Sequence, residues 1–267
     1  MRICSGRSSS SSWSVVTTGK ASGKAYAASM LVEAAAQAPF HPAQPITTVI
    51  FDVHSTLIDQ GDSREWLDIA LTKSGCQLSQ DAHAELAAFL DRVWENARVL
   101  DPMSERDLSA QAHERIFHEL LAEGPTLDPQ LGQALYDVIL DTWHAYADAA
   151  PTLAALKQLG IRVGMLSNAA LALHSVLVRE GLSAYADAIV LSCEIGVVKP
   201  ELASFTAVLD ALGSTAAESL MVGDSGHDDV GGTGLGMRTL VLPRTRGASH
   251  GLAVVVGLVR ASQDLAS

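Results

Sequence analysis

The sequence predicts an α/β fold: a Rossmann-like parallel sheet with helices on both faces, interrupted by an inserted α-helical cap. Three observations predict it. Short apolar, β-branched runs recur along the chain with helical patterns between them, the signature of strands buried on both faces. Over residues 61–149 the alternation breaks, and apolar residues stand at helical spacing, as in Leu67 and Leu71 or Leu86, Leu90 and Val93, with no convincing strand. Polar residues directly follow several of the apolar runs, where an open parallel sheet binds its ligands.

Residues 1–44 are expected to form a disordered tail. They carry Arg2, Arg7, Lys20 and Lys24, the serine run Ser8–Ser12 and no acidic residue before Glu33, too little apolar surface to offset the entropy of ordering. The same Ser-rich, acid-poor make-up suits an organelle transit peptide, or a start assigned too early with Met30 as the true beginning. Residues 45–60 and 150–267 are expected to form the core domain, and 61–149 the cap. The first strand is Ile46–Phe51, ITTVIF, ending at Asp52. A helix from Pro151 to Leu159, stopped by Gly160, leads to a second strand, IRVGML, that ends at Ser167 and Asn168. AIVL before Ser192, SLMV before Gly223 and Asp224, and RTLVL before Pro243 complete five strands. Helical patterns at about Ala170–Glu180, Glu201–Leu212 and Asp229–Leu235 lie between them, and GLAVVVGLVRA reads as a closing apolar helix.

Composition limits the function. The chain has 267 residues, enough for one large domain or a core with an insertion. Hydrophobic residues make up 48%, charged residues 18%, and the formal net charge is −12. Such acidity argues against nucleic-acid binding, which needs clustered Lys and Arg. No apolar run is long enough to span a membrane. Cys4, Cys76 and Cys193 are far apart with no CxxC pair, so neither a disulfide framework nor a zinc site is indicated, and a reducing, cytoplasmic setting fits.

Asp52, Ser167 with Asn168, and Asp224 each follow a strand, and Lys199 sits in the connection after the third. Each alone has an ordinary role as a cap, a turn residue or a solvated charge; together they point to one site at one sheet edge. Carried by VIFDVHSTLID, MLSN, VVKP and VGDSGHDD, the chain from Ile46 to Leu242 resembles the haloacid dehalogenase superfamily of hydrolases, with the helical insertion where that family keeps its cap. The resemblance implies that Asp52 is a nucleophile that forms an aspartyl-phosphate. It further implies that Ser167, with adjacent backbone N–H groups, holds a phosphoryl oxygen, that Lys199 neutralises charge between phosphate and nucleophile, and that Thr56 bonds the Asp52 carboxylate. Ser167, Asn168 and Lys199 form the expected phosphate site. Asp224 and Asp229 in their Gly-rich loop, with Asp52, supply the hard oxygen ligands Mg²⁺ prefers, and Asp228 is an alternative ligand or orients a metal-bound water.

Two positions depart from the family pattern. The residue two after the nucleophile, an acid/base aspartate in the family's phosphatases, is His54 here. Its backbone carbonyl, a metal ligand in the family, does not depend on the side chain, and an imidazole can also transfer protons. The other possibilities are that His54 only fills space or marks a loss of efficient hydrolysis. Ser55 stands where the family has glycine, which puts the turn after the nucleophile in question. The expected activity is Mg²⁺-dependent hydrolysis of small phosphate esters. Its alternatives are metal-independent 2-haloacid dehalogenation, binding of a phosphorylated ligand without efficient turnover, and phosphonate hydrolysis through Lys73. Cap residues that would face the substrate include Arg64, Trp66, Arg92, Trp94, Arg98, His113 and Trp143. Oligomeric state is not legible.

Overall fold

A computed structural model describes residues 44–265, so the expected tail or targeting segment lies almost wholly outside the described residues. In chain order, β1 is Thr48–Phe51 and β2 is Ile58–Asp59. Five helices follow: α1 Ser63–Ser74, α2 Gln80–Leu90, α3 Ala97–Leu100, α4 Ala110–Leu121 and α5 Pro129–Asp137. The chain continues through β3 His144–Ala145, α6 Ala149–Gln158, β4 Arg162–Ser167, α7 Leu173–Arg179, β5 Ala188–Leu191 and α8 Ser192–Ile195. It ends with α9 Leu202–Leu212, β6 Ser219–Gly223, β7 Arg238–Val241 and α10 Ala253–Asp264.

Five strands form one sheet in the order β5-β4-β1-β6-β7, parallel at every pairing. All five apolar runs in the sequence become strands of this sheet. Because side chains alternate along a strand, Val49 and Phe51 of β1 pack with Val163, Met165, Leu220 and Val222 on one face, against Leu153 and Leu156 of α6 and Val255 and Val259 of α10. Ile50, Leu166 and Met221 point the other way, onto Phe205, Val208 and Leu212 of α9. The sheet is thus covered on both faces. Gly164 lets α9 close in, since a Cβ there would stand 2.7 Å from Leu212 Cδ1.

Helices α1–α5 enclose a second apolar cluster that includes Leu67, Leu86, Phe117, Leu120 and Leu135. Their starts are written in the sequence. Asp62, Ser79, Ser109 and Asp128 are N-caps whose side chains accept from Arg64, Ala82, Ala112 and Gln130 N–H respectively. The expectation of no strand within 61–149 needs correction: β3 pairs antiparallel with β2, Ile58 opposite Ala145, and closes the base of the helical insertion. Asp229–Leu235 is a 3₁₀ segment in place of a regular helix, because Gly231, Gly232 and Gly234 favour no α-helix. Among the described residues no helix is long and apolar enough to cross a membrane, and Cys76 and Cys193 are free thiols.

Candidate active site

Parallel β1, β4 and β6 run side by side, so their carboxyl ends bring Asp52, Ser167 and Asp224 to one edge of the sheet. Lys199, from the segment between α8 and α9, reaches into the same place. Its Nζ donates to Asp52 Oδ1 and to Asp229 Oδ1, at 2.6 Å each. Thr56 Oγ1 donates to the other Asp52 oxygen at 3.1 Å. Lys199, Asp229, Thr56 and Asp52 are all buried, so these charge-assisted bonds face little competition from water.

Asn168 secures the segment that carries Lys199. Its side chain clamps the lysine segment, with Oδ1 accepting from Lys199 N at 2.7 Å and Nδ2 donating to Lys199 O at 3.0 Å. Its amide is therefore committed to the Lys199 backbone, and any contact with phosphate falls to its main chain. Asp229 Oδ2 accepts from Ser225 N at 2.9 Å. Gly223 is needed beside it: a Cβ at that position would lie 2.0 Å from Asp229 Oδ2. Ser167 is buried, and its Oγ has no hydrogen-bond partner. A buried orphan hydroxyl in the same cavity as a lysine suits an incoming oxyanion.

The charges are unbalanced. One ammonium is shared among Asp52, Asp229 and the nearby Asp224. Burial lowers the affinity of Lys199 for its proton, but Asp52 and Asp229 outweigh it and hold the lysine firmly charged. Burial pushes Asp52 up, Lys199 opposes this, and Asp229 and Asp224 add to it. Asp224 is raised by burial and by Asp229. Both carboxylate shifts report an excess of buried negative charge, which a hard divalent cation would relieve. Among the described residues no group of three or more His, Cys, Asp or Glu is arranged as a metal cage. The donor chemistry nevertheless fits Mg²⁺, which is held by one or two carboxylates, with water and substrate oxygens filling its octahedron.

After Asp52 the chain turns sharply, with Leu57 N and Ile58 N both donating to Val53 O at 2.9 Å. Ser55 takes φ +65°, the left-handed conformation usually left to glycine. His54, at the edge of the same cavity, stacks on Trp143 with ring centroids 4.5 Å apart. Burial, then the charge of Arg244, lowers its pKa to about 4, so its resting imidazole is neutral at pH 7.

A cavity of about 380 Å³ opens over these groups and is lined by core and cap residues together. Trp66, Trp94, Arg98, His113 and Trp143 line it, whereas Arg64, Arg92 and Lys73 do not. Lys73 pairs with Asp137 on the cap surface at 3.0 Å, which leaves it no part in chemistry at Asp52. Arg98 pairs with Asp228 across from cap to core. Sequence reasoning missed Arg106, a half-buried cavity residue that pairs with Asp101 and Asp107. The motif ERD around it has no distinguishing signal. It also missed Ser225, whose role is carried by a main-chain N–H.

A family model described as haloacid dehalogenase-like hydrolase matches residues 46–234. The chain belongs to this family. Among curated relatives, it is 28% identical to a ribulose-1,5-bisphosphate 5-phosphatase of Halopiger xanaduensis, over 73% of this chain and 84% of that one. It is 25% identical to a glyceraldehyde 3-phosphate phosphatase of Methanothermobacter thermautotrophicus, over 74% of this chain and 85% of that one. The solved structure of the L-2-haloacid dehalogenase RSc1362 superposes with a TM-score of 0.60 at 20% identity, covering 81% of this chain and all of that one. At that identity the likeness speaks for the fold alone.

Proposed function

We propose that this hydrolase is a Mg²⁺-dependent phosphatase of small phosphate esters that works through an aspartyl-phosphate on Asp52. One observation carries the reading: Lys199 holds Asp52 and Asp229 at 2.6 Å each, at strand ends that also present the unpartnered Ser167 hydroxyl. The phosphatase names of the sequence relatives support it, and the carboxylate pair Asp224 and Asp229 favours it over dehalogenation. Asp52 attacks phosphorus as the ester P–O bond breaks, and water then displaces the carboxylate and releases phosphate. Thr56 fixes the orientation of the nucleophile, while Ser167 and Lys199 take phosphoryl oxygens. Asp52, Asp224 and Asp229, with the His54 carbonyl, would hold the metal. Mg²⁺ supplies charge that lets a carboxylate approach a phosphate dianion.

In this reading His54 hands a proton to the leaving alcohol and takes one from the attacking water. A negatively charged ester in the cavity favours the imidazolium that the first of these steps requires. The test is phosphate release from a panel of small monoesters, with Mg²⁺ and with chelator, for the native chain, His54→Ala and His54→Asp. The reading expects metal-dependent release that drops by about 10²–10⁴-fold in His54→Ala. Release gained only in His54→Asp would instead make the native chain a binder of phosphorylated ligands with little turnover.

A further inference from the structure

We propose that the alcohol part of the ester is an uncharged aromatic or heteroaromatic group, stacked in the cavity by Trp94 and Trp143 with His113 as its polar contact. This rests on the phosphatase reading of the same site. Two aromatic pairs line the cavity that holds Asp52: His54 with Trp143, centroids 4.5 Å apart, and Trp94 with His113, 5.1 Å apart. Buried Trp66 adds a further ring. Its Nε1 already donates to Leu135 O at 2.8 Å, so it has no N–H left to offer a ligand. About 380 Å³ is room for one ring and a phosphoryl group.

His113 is 8% exposed, and its Nδ1 is buried with no partner. Burial and the neighbouring Arg106 lower its pKa to about 4, so it is a neutral imidazole at pH 7. A neutral ring with an unpaired nitrogen suits a ligand's hydroxyl or ring nitrogen and offers no charge to an anion.

The charge pattern points the same way. The described cavity lining has seven carboxylates against three cations, Arg98, Arg106 and Lys199. Each of the three is already paired with a carboxylate: Arg98 with Asp228, Arg106 with Asp101 and Asp107, and Lys199 with Asp52 and Asp229. The transferring phosphoryl group has Lys199 and a metal to meet it. A second phosphate or a carboxylate on the substrate would have to share a cation with a carboxylate already paired to it, and would face the surplus carboxylates.

The test compares kcat/KM, with Mg²⁺ present, for benzyl phosphate, glycerol phosphate, phosphoserine and a sugar bisphosphate. Benzyl and glycerol phosphates have leaving alcohols of similar acidity, so intrinsic reactivity does not decide between them. The proposal expects benzyl phosphate to lead glycerol phosphate by about tenfold, the scale of one good aromatic contact, and to lead both anionic esters by more. Trp94→Leu should remove that lead, lowering kcat/KM for benzyl phosphate about tenfold more than for glycerol phosphate, with circular dichroism reporting that the variant is folded. A pyridylmethyl phosphate should outdo benzyl phosphate in the native chain and lose that margin in His113→Phe. Phosphoserine or the bisphosphate as the best substrate, or an equal loss on both neutral esters in Trp94→Leu, would overturn the inference and leave the phosphatase reading intact. No metal-dependent release from any ester would remove the phosphatase reading, and this one with it.

Discussion

At Ser55 the chain accepts a backbone conformation that costs an L-residue about 1–2 kcal/mol. The turn it makes places His54 beside Trp143 and leaves Thr56 bonded to Asp52. Ser55→Gly relieves that cost and adds about 0.4–1 kcal/mol of unfolded-state entropy. The net expectation is a gain of up to about 1 kcal/mol in chemical denaturation; a loss would mean the serine side chain contributes more than its long 3.4 Å contact with His54 suggests. Single residues also mark the limit of sequence reading here. Asp52, Thr56, Ser167 and Lys199 stand out because each falls at a strand end or in a recognisable motif. The Asn168 clamp on the lysine backbone is invisible in a one-dimensional string, since it joins residues 31 positions apart. Arg106 was missed for another reason: its partners Asp101 and Asp107 are close in sequence, but the cavity it lines exists only once the helices have folded over the sheet edge.

The elements that hold the site depend on close approach. Gly223 ends β6 directly against Asp229, and Gly223→Ala has no room for its methyl without moving that carboxylate. Because Asp229 fixes Lys199, and Lys199 fixes Asp52, the shift should lower phosphate release on the order of a hundredfold, while circular dichroism still reports the native fold. Full activity would mean that Asp229 does not set the position of the lysine. At this scale the sequence was most legible for the sheet, because a strand buried on both faces must be an unbroken apolar run, and VIF, VGML, AIVL, SLMV and TLV are such runs. It was least legible for β2 and β3, two residues each, too short to show any period. The glycines between Val230 and Leu235 weaken the α-helix that apolar spacing alone suggested.

Across the whole molecule, Asp148 ties the start of α6 to the approach to α10. Its carboxylate accepts from His250, Gly251 and Leu252 N–H at 2.8–2.9 Å. Burial alone would raise its pKa, but these three donors outweigh burial and hold it below the usual carboxylate value. A depressed folded-state pKa gives stability that is fully present above the unfolded value near pH 4 and is lost as pH falls through the folded one. Asp148→Asn should therefore cost about 1–3 kcal/mol at pH 7, a gap in Tm that narrows below about pH 4; a gap independent of pH would refute the charge-based account. The same frame carries α1–α5 over the sheet edge, joined to the core loop through Arg98 and Asp228, and so encloses the nucleophile. That Asp52 is this nucleophile is the central claim. Its most direct test is an acid quench of the working enzyme with a small phosphate ester and Mg²⁺, followed by mass analysis of the peptide containing VIFDVHSTLID. The account predicts one phosphoryl group on Asp52, absent in Asp52→Asn, with turnover in that variant down by at least about a thousandfold. A phosphoryl group found on another residue, or turnover that survives Asp52→Asn, would contradict it.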